Sequence, residues 1–226
     1  MNYTTVNDTP MKAYKGLGME GRIAKWYAVN TRKSLDDFKA LARQVAAELP
    51  PGSRVLEVAP GPGYFAIELA KLGNYQVEGL DISKTFVEIA NRNAREAKVE
   101  IAFREGNASN MPFASETFDF ILCRAAFKNF SEPVRALQEM SRVLKPGGQG
   151  LLIDLRKDAS PADVRRMVDG LGMGFISRFM TRVTFQCMLL KRAYTETQFR
   201  EFFSQAKFRS VEYGKTATGL EIRFER

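Results

Sequence analysis

Short apolar runs alternate with amphipathic stretches along the middle of the chain, and this alternation predicts an α/β fold. The runs are rich in β-branched and aromatic residues, which favours strands at 54–58, 75–80, 99–104, 118–123 and 150–155. The stretches between them carry apolar residues every three or four positions, as helices with one buried face do. Because strands that alternate with helices form parallel βαβ units, we expect a doubly wound, mostly parallel sheet.

The first fifty residues begin with an unpatterned arm and continue as a helix. Residues 1–17 are polar and lack the apolar core of a signal peptide, so we expect a cytoplasmic protein. The pattern of residues 19–49 is helical, and Ser34 is the predicted N-cap of its second half because acids follow it in the first turn.

Further helices and a β pair are predicted after the alternating region. Residues 161–192 form a helical stretch with many Phe, Met and Arg residues, and 195–205 predicts one more helix. Two short runs near the end, 210–214 and 220–224, predict a closing antiparallel pair. We therefore expect one domain over 1–226, divided into an N-terminal helical lid (1–49), a core (50–155), a helical insertion (156–194) and a C-terminal helix with the β pair (195–226).

The composition limits the chemistry. The chain has 226 residues, of which 45% are hydrophobic and 27% charged, and no run approaches the roughly 20 apolar residues of a membrane span. Histidine is absent, which excludes His-based triads and His metal sites, and two cysteines are too few for a structural zinc site. We therefore predict no metal centre. The net charge of +8 lies outside residues 51–150, which suits an anionic small molecule, RNA, an acidic surface or simple solubility.

A glycine-rich turn after the first predicted strand gives the strongest chemical signal. Residues 61–66 fit the pattern G-x-G-x-x-A at the start of a helix, and Asp81 ends the second strand, where an acid can accept hydrogen bonds from a ribose. A dinucleotide site would show both features. However, Glu57 would repel a pyrophosphate, and Pro62 removes a backbone N–H that a phosphate needs. The pattern therefore favours a ligand with a ribose and an amino group but no phosphate, such as S-adenosylmethionine.

Five segments, in the right order and spacing, resemble the motifs of class I S-adenosylmethionine-dependent methyltransferases. They are Val55–Gly63, which is similar to motif I of that family, Gly79–Ser83, Gly106–Phe113, Phe118–Ile121 and Leu144–Gly148. The resemblance implies a seven-stranded Rossmann-like sheet with an antiparallel last strand. It also implies S-adenosyl-L-methionine as the cofactor and S-adenosyl-L-homocysteine as the product.

The resemblance further implies which residues bind that cofactor. Glu57 and the loop backbone face the methionine end, Asp81 binds the ribose hydroxyls, and Ile82 packs on the adenine. The complete set implied is Tyr27, Glu57, Ala59, Gly61, Gly63, Asp81, Ile82, Asn107, Ala108 and Arg124.

The sequence departs from the family pattern at three places. Ala59 stands where the first loop glycine is usual. Asn107 replaces an aspartate, and its side-chain oxygen can still accept a hydrogen bond from the adenine amino group. Lys128 and Asn129 stand where small-molecule members often carry histidines. A histidine mechanism therefore cannot be transferred to this chain.

Methyl transfer from a sulfonium requires few catalytic groups from the protein. A sulfonium methyl is already activated, so positioning the acceptor in line and excluding water supply most of the acceleration. A general base is needed only when the acceptor arrives protonated. The catalytic candidates are Asp154, Lys128 and Tyr194, with Tyr14 and Asp158 as further proton acceptors. We expect the acceptor pocket in the insertion 156–194.

These observations predict methyl transfer to a small, partly apolar acceptor that can carry a negative charge. Two alternatives stay open: an RNA or protein methyltransferase, which the basic flanks support, and a catalytically silent S-adenosylmethionine-binding protein. No N/D-P-P-Y/F stretch follows the fourth strand and we recognise no RNA-binding module, so the sequence argues against a nucleic-acid substrate. The helical stretch at 161–192 also allows a peripheral membrane helix, although its basic face is interrupted. The sequence does not indicate an oligomeric state.

Overall fold

A seven-stranded sheet organises the part of the chain that the computed structural model describes, which comprises residues 14–15, 18–170, 182, 185 and 189–226. Its strand order is β3-β2-β1-β4-β5-β7-β6, with the first five strands parallel and β7 antiparallel to both neighbours. The strands are β1 Arg54–Val58, β2 Gln76–Asp81, β3 Ala102–Glu105, β4 Phe118–Arg124, β5 Leu144–Leu155, β6 Ser210–Lys215 and β7 Gly219–Glu225. This order confirms the predicted doubly wound sheet with an antiparallel last strand.

Two of the predicted strand starts differ from the structure by more than one residue. The third strand begins at Ala102 rather than at residue 99, because Lys98 takes a left-handed conformation (φ 56°) and Val99 still bonds to the helical carbonyl of Ala94. The fifth strand begins at Leu144 rather than at residue 150, since Leu144 already pairs with Phe118 across a register shift.

The helices in the described residues lie on both faces of the sheet. They are α1 Gly21–Thr31, α2 Leu35–Glu48, α3 Tyr64–Ala70, α4 Lys84–Ala97, α5 Pro133–Val143, α6 Pro161–Asp169, α7 Leu190–Arg192 and α8 Glu196–Ser204. None of these helices is long and apolar enough to cross a bilayer. Of the predicted insertion, residues 156–170, 182, 185 and 189–194 are described, and the acceptor-pocket prediction for the rest of 156–194 falls outside the described residues.

The predicted helix over residues 19–49 is interrupted by a 3₁₀ turn at Arg32–Ser34. The predicted N-cap position at Ser34 is confirmed, with Asp36 and Asp37 in the first turn of α2, although the Ser34 side chain makes no capping hydrogen bond. Ser83 does cap α4, since its hydroxyl accepts a hydrogen bond from the Phe86 amide.

Two apolar layers cover the sheet. One face packs against α2, α3 and α4 through side chains such as Phe65 and Phe103, and the other packs against α5 and α8 through Leu137 and Phe199. Strand β4 lies between them with an almost continuous buried run, as expected for a central parallel strand. The carboxyl ends of β1, β2, β4 and β5 consequently meet at one edge, where open α/β sheets bind their ligands.

Candidate functional site

The loop after β1 turns sharply toward α3. Ala59, Gly61 and Gly63 all have positive φ angles, of 57°, 55° and 78°. A Cβ on Gly63 would stand 2.7 Å from the Phe103 ring, so this position requires glycine on both conformational and packing grounds. Ala59 takes the same left-handed conformation with a Cβ, which is strained by roughly 1 kcal/mol. The loop therefore closes as predicted without the first glycine of the family pattern.

Glu57 is a buried carboxylate immediately behind this loop. It is 3% exposed, and its Oε2 accepts a hydrogen bond of 3.1 Å from the Ala66 amide at the start of α3. Within the described residues no other group donates to it. Desolvation raises the pKa of Glu57 to about 8, against the Ala66 hydrogen bond and the more distant charge of Arg124, which lower it. A cation placed here would restore the ionised form.

Asp81 joins the end of β2 to the glycine loop. Its Oδ2 accepts from the Gly61 amide and its Oδ1 from the Ser83 amide, each at 2.9 Å. Burial raises the pKa of Asp81 to about 6 despite these two bonds. Each carboxylate oxygen has a second lone pair, so Asp81 can hold the loop and still accept hydrogen bonds from two hydroxyls.

Helix α1 covers the loop from outside. The ring of Tyr27 lies 4.0 Å from the point where a Cβ on Gly61 would stand and meets Phe86 edge-on, with ring centroids 5.7 Å apart. The Tyr64 hydroxyl fastens the helix by donating to the Ala28 carbonyl at 3.0 Å. Ile82 lies 38% exposed directly after Asp81, so its side chain is available to a planar ring. The fold thus places Tyr27 and Ile82 beside the same glycine loop.

Three other predicted residues already have contacts within the protein. The Asn107 side-chain oxygen accepts from the Ser109 amide at 2.9 Å and retains one lone pair, while Ala108 packs against the buried core beside it. The guanidinium of Arg124 stacks on the ring of Phe38, 4.4 Å from its centroid. Arg124 is therefore held against α2, and its link to Glu57 is electrostatic.

The residues at this edge fit the cofactor that the sequence resemblance implies. Glu57 is a buried acid that accepts a hydrogen bond from a single group among the described residues. Its remaining lone pairs can therefore bind an α-ammonium group. Asp81 offers free lone pairs for ribose hydroxyls, and Ile82 offers an exposed apolar side chain for adenine. When bound, the cofactor supplies the activated methyl group.

A buried ion pair lies at the end of β5. Lys128 Nζ and Asp154 Oδ1 are 2.8 Å apart, and their side chains are 4% and 0% exposed. Asp154 also accepts from the backbone amides of Lys128 (2.8 Å) and Leu155 (2.7 Å), while Lys128 Nζ donates to the Ala125 carbonyl. The pair therefore fixes the loop after β4 to β5. That Asp154 or Lys128 is catalytic stays a prediction, and the geometry favours an anchor.

The N-terminal arm returns to the site at two residues. Tyr14 forms an isolated β-bridge with Phe130, and the Lys15 amide donates to the Asn129 carbonyl at 2.7 Å. The Lys15 ammonium reaches the hydroxyl of Tyr194 and lies 4.8 Å from its ring centroid. The polar pattern of the arm gave no sign of this docking, since a single bridge and a cation–π contact need no repeating pattern.

The phenol of Tyr14 is half-buried and interacts electrostatically with several residues of the site. Burial is the main cause that raises its pKa, Arg192 lowers it, and Tyr27, Asp81 and Asp154 raise it further, so the phenol is within electrostatic range of all four. Tyr194 is buried among Phe127, Phe199 and Phe202, whereas Asp158 is an exposed partner of Arg156. The charges of both Asp81 and Asp154 therefore act on Tyr14.

Comparison with known proteins identifies a family model and relatives for this chain. A family model described as a methyltransferase domain matches residues 56–152. The demethylmenaquinone methyltransferase of Deinococcus radiodurans is 34% identical over 163 residues, which are 70% of this chain and 68% of that enzyme. An uncharacterized methyltransferase of Bacillus subtilis is 38% identical over 109 residues. These cover 48% of this chain and 43% of the relative, so the chain spans less than half of that relative's length.

The fold has close counterparts among solved structures. A protein of Methanococcus maripaludis, described as a candidate S-adenosyl-L-methionine-dependent methyltransferase, superimposes with a TM-score of 0.77. The match covers 94% of this chain and 95% of that chain at 19% sequence identity. At 19% identity this structural match shows a shared fold only. Membership of a family follows from the sequence relatives instead.

Proposed function

The chain belongs to the class I S-adenosylmethionine-dependent methyltransferases, and on that basis we propose that its acceptor is a small, partly apolar molecule. The observation that carries this proposal is the aromatic environment of the edge beyond the cofactor residues. Phe127, Tyr194 and Phe199 form a buried cluster whose ring centroids are 5.4 to 6.2 Å apart. The fully buried charges beside it, within the described residues, are Lys128 and Asp154, which neutralise each other, while the half-buried Lys15 ammonium contacts Tyr194.

Such surroundings suit in-line displacement onto an acceptor of low polarity. A dry, weakly charged environment favours a step in which the positive sulfonium charge is neutralised. The chain's part is to bind the ammonium through Glu57, hold the sugar through Asp81 and exclude water with Tyr27 and the aromatic cluster. We propose a hydroxylated ring with an apolar substituent as the first acceptor class to test, since the Deinococcus relative is named for methylating a demethylated menaquinone.

The proposal is tested by transfer of a labelled methyl group to a panel of acceptors. The panel comprises a reduced short-chain naphthoquinone, a phenol, an aliphatic carboxylate, bulk RNA and a protein mixture, each analysed for a mass gain of one methylene. We expect labelling of the ring acceptors alone. Labelling confined to RNA or protein would replace the proposal by that alternative, and tight S-adenosylhomocysteine binding without any labelling would indicate a silent binding protein.

Replacing Asp81 by alanine is expected to weaken S-adenosylhomocysteine binding at least tenfold, about 1.4 kcal/mol. The variant loses the ribose acceptor and also frees the Gly61 and Ser83 amides that Asp81 holds. Isothermal calorimetry measures the affinity. Asp119→Ala is the matched control, because Asp119 pairs with Lys145 and the Arg54 amide at the other end of the sheet. Unchanged affinity in Asp81→Ala would refute the ribose assignment.

Replacing Tyr14 by phenylalanine is expected to slow methyl transfer to a hydroxylated acceptor about tenfold, the value of one hydrogen bond. Since burial raises the pKa of Tyr14, its phenol stays protonated near pH 8 and acts as a hydrogen-bond donor rather than a base. Cofactor affinity should change less than about twofold. Tyr213→Phe removes a distant tyrosine hydroxyl and serves as control. A wild-type rate in Tyr14→Phe would remove Tyr14 from the acceptor site.

A further inference from the structure

The outward face of α1 is an apolar surface that the cofactor site does not use. The inner face of this helix packs Ala24 and Ala28 against α4. On the outer side, Ile23, Trp26 and Val29 are 46%, 67% and 68% exposed. These three large side chains follow one another at spacings of three residues, so they share one side of the helix. Isolated exposed apolar residues are ordinary, but a continuous stripe indicates a binding surface.

Positive charges without acidic partners surround this stripe. Arg22 and Lys25 lie on the helix itself, and Arg32 and Lys33 lie in the 3₁₀ turn that follows it; all four are exposed. No acidic residue occurs from 21 to 35, and within the described residues none of the four cations forms an ion pair. We call these seven residues, Arg22, Ile23, Lys25, Trp26, Val29, Arg32 and Lys33, the α1 face.

We propose that the α1 face docks the enzyme on an anionic lipid surface. A stripe of tryptophan and aliphatic side chains flanked by cations is the pattern of helices that lie in the membrane interface, where the apolar groups enter the headgroup region and the cations meet lipid phosphates. Docking on a bilayer does not require specific hydrogen bonds, and this side of the helix presents few hydrogen-bonding groups. Its one amide, that of Asn30, already donates to the Trp26 carbonyl at 2.9 Å.

The position of this face gives docking a function. Tyr27, on the same helix, lies against the cofactor loop, and the Tyr64 hydroxyl ties the helix to α3. A membrane bound to α1 would therefore lie next to the substrate edge. If the acceptor is apolar, as proposed above, it would reach the enzyme directly from the lipid. This consequence rests on the proposed function, whereas docking itself does not.

Intrinsic fluorescence tests the proposal directly, because Trp26 is the single tryptophan of the chain. The full chain is titrated with vesicles of phosphatidylcholine alone and with vesicles containing one quarter phosphatidylglycerol. We expect a blue shift of about 10 nm, and quenching by brominated acyl chains, with the anionic vesicles only. Affinity should fall at least about tenfold when salt rises to roughly 0.5 M, because the charges attract across solvent.

A charge-reversed variant assigns the effect to this face while keeping Trp26 as reporter. Arg22→Glu with Lys25→Glu should weaken binding to anionic vesicles at least about tenfold. The control, Arg95→Glu with Lys207→Glu, makes the same change in net charge at exposed residues elsewhere and should retain affinity within about twofold. All variants should bind S-adenosylhomocysteine like the wild type, which separates failure to dock from failure to fold or to bind the cofactor.

Three results would overturn the proposal. Trp26 fluorescence that stays unchanged on anionic vesicles would show that lipid does not cover the face. Equal losses of vesicle affinity in both double variants would show that binding depends only on the net charge of the protein. A blue shift that grows with protein concentration in the absence of vesicles, together with a doubled mass in light scattering, would show that a second copy of the chain is the occupant.

Discussion

Replacing Glu57 by glutamine is expected to weaken S-adenosylhomocysteine binding roughly 30-fold, about 2 kcal/mol, while stabilising the ligand-free protein. The loss follows because a neutral amide cannot form a charge-assisted hydrogen bond to the ligand ammonium. The gain follows because the variant no longer buries a carboxylate whose desolvation raises its pKa to about 8. Glutamine keeps an oxygen for the Ala66 amide, so the local structure is retained.

The pH dependence gives the sign of the stability effect. A carboxyl whose folded pKa lies above its unfolded value of about 4.5 contributes stability that is complete below pH 4.5 and is lost as the pH rises toward 8. Asp81, with a folded pKa of about 6, adds a similar loss of stability, which is complete once the pH exceeds about 6. Between pH 6 and 8 the slope therefore belongs mainly to Glu57. We expect Glu57→Gln to flatten it and to be more stable by on the order of 2 kcal/mol at pH 8.

Two measurements check this prediction. Urea unfolding at several pH values gives the free energy of unfolding, and calorimetry in two buffers of different ionisation enthalpy counts the protons released on binding near pH 7. Wild type should release a proton from Glu57, and the variant should not. Glu68→Gln is the matched control, since Glu68 is also buried but pairs with Lys71 at 2.6 Å. A variant that binds normally, or one that is less stable at pH 8, would contradict the role given to Glu57.

The sheet could be predicted from the sequence because its signals are local. The apolar runs of β1 and β4 and the glycines of the loop each depend on neighbours within a few positions, and the structure confirms them. The acids Glu57 and Asp81 come to one edge as a consequence of parallel order, since each lies at or near the carboxyl end of its strand.

Contacts between distant segments could not be predicted in the same way. The Tyr14 bridge to Phe130 and the Lys15 contact with Tyr194 join residues more than a hundred positions apart, and no periodic pattern announces them. The 3₁₀ turn between α1 and α2 could not be predicted for another reason: it spans only Arg32–Ser34, too few residues to leave a pattern of its own. Lys128 and Asp154 were each identified, but not as a pair.

The register of β4 and β5 explains why these two residues meet. Arg124 pairs with Ile153, so the loop that begins at Ala125 starts beside Asp154. Ala125 takes a φ of 58°, turning the chain so that both the amide and the side chain of Lys128 reach the carboxylate. The positive φ at a non-glycine residue is strain that the ion pair holds in place.

Replacing Lys128 by methionine is therefore expected to destabilise the protein by about 3 to 5 kcal/mol, because the wholly buried Asp154 carboxyl would lose its cation. Adding Asp154→Asn should recover most of this loss, since the asparagine oxygen can still accept from a backbone amide and no buried charge remains. Urea unfolding of the two single variants and the double variant forms a double-mutant cycle that measures the coupling. Additive effects would show that the pair does not stabilise the loop.

The same double variant separates an anchor from a general base. If Asp154 only fixes the loop after β4, the folded double variant should methylate the ring acceptor within about tenfold of the wild-type rate, with an unchanged pH profile. If Asp154 removes a proton from the acceptor, the rate should fall by about a hundredfold or more, and the limb of the pH profile that reports its ionisation should disappear. The three hydrogen bonds and zero exposure of the Asp154 carboxylate leave it no free approach for an acceptor proton, so we expect the first result.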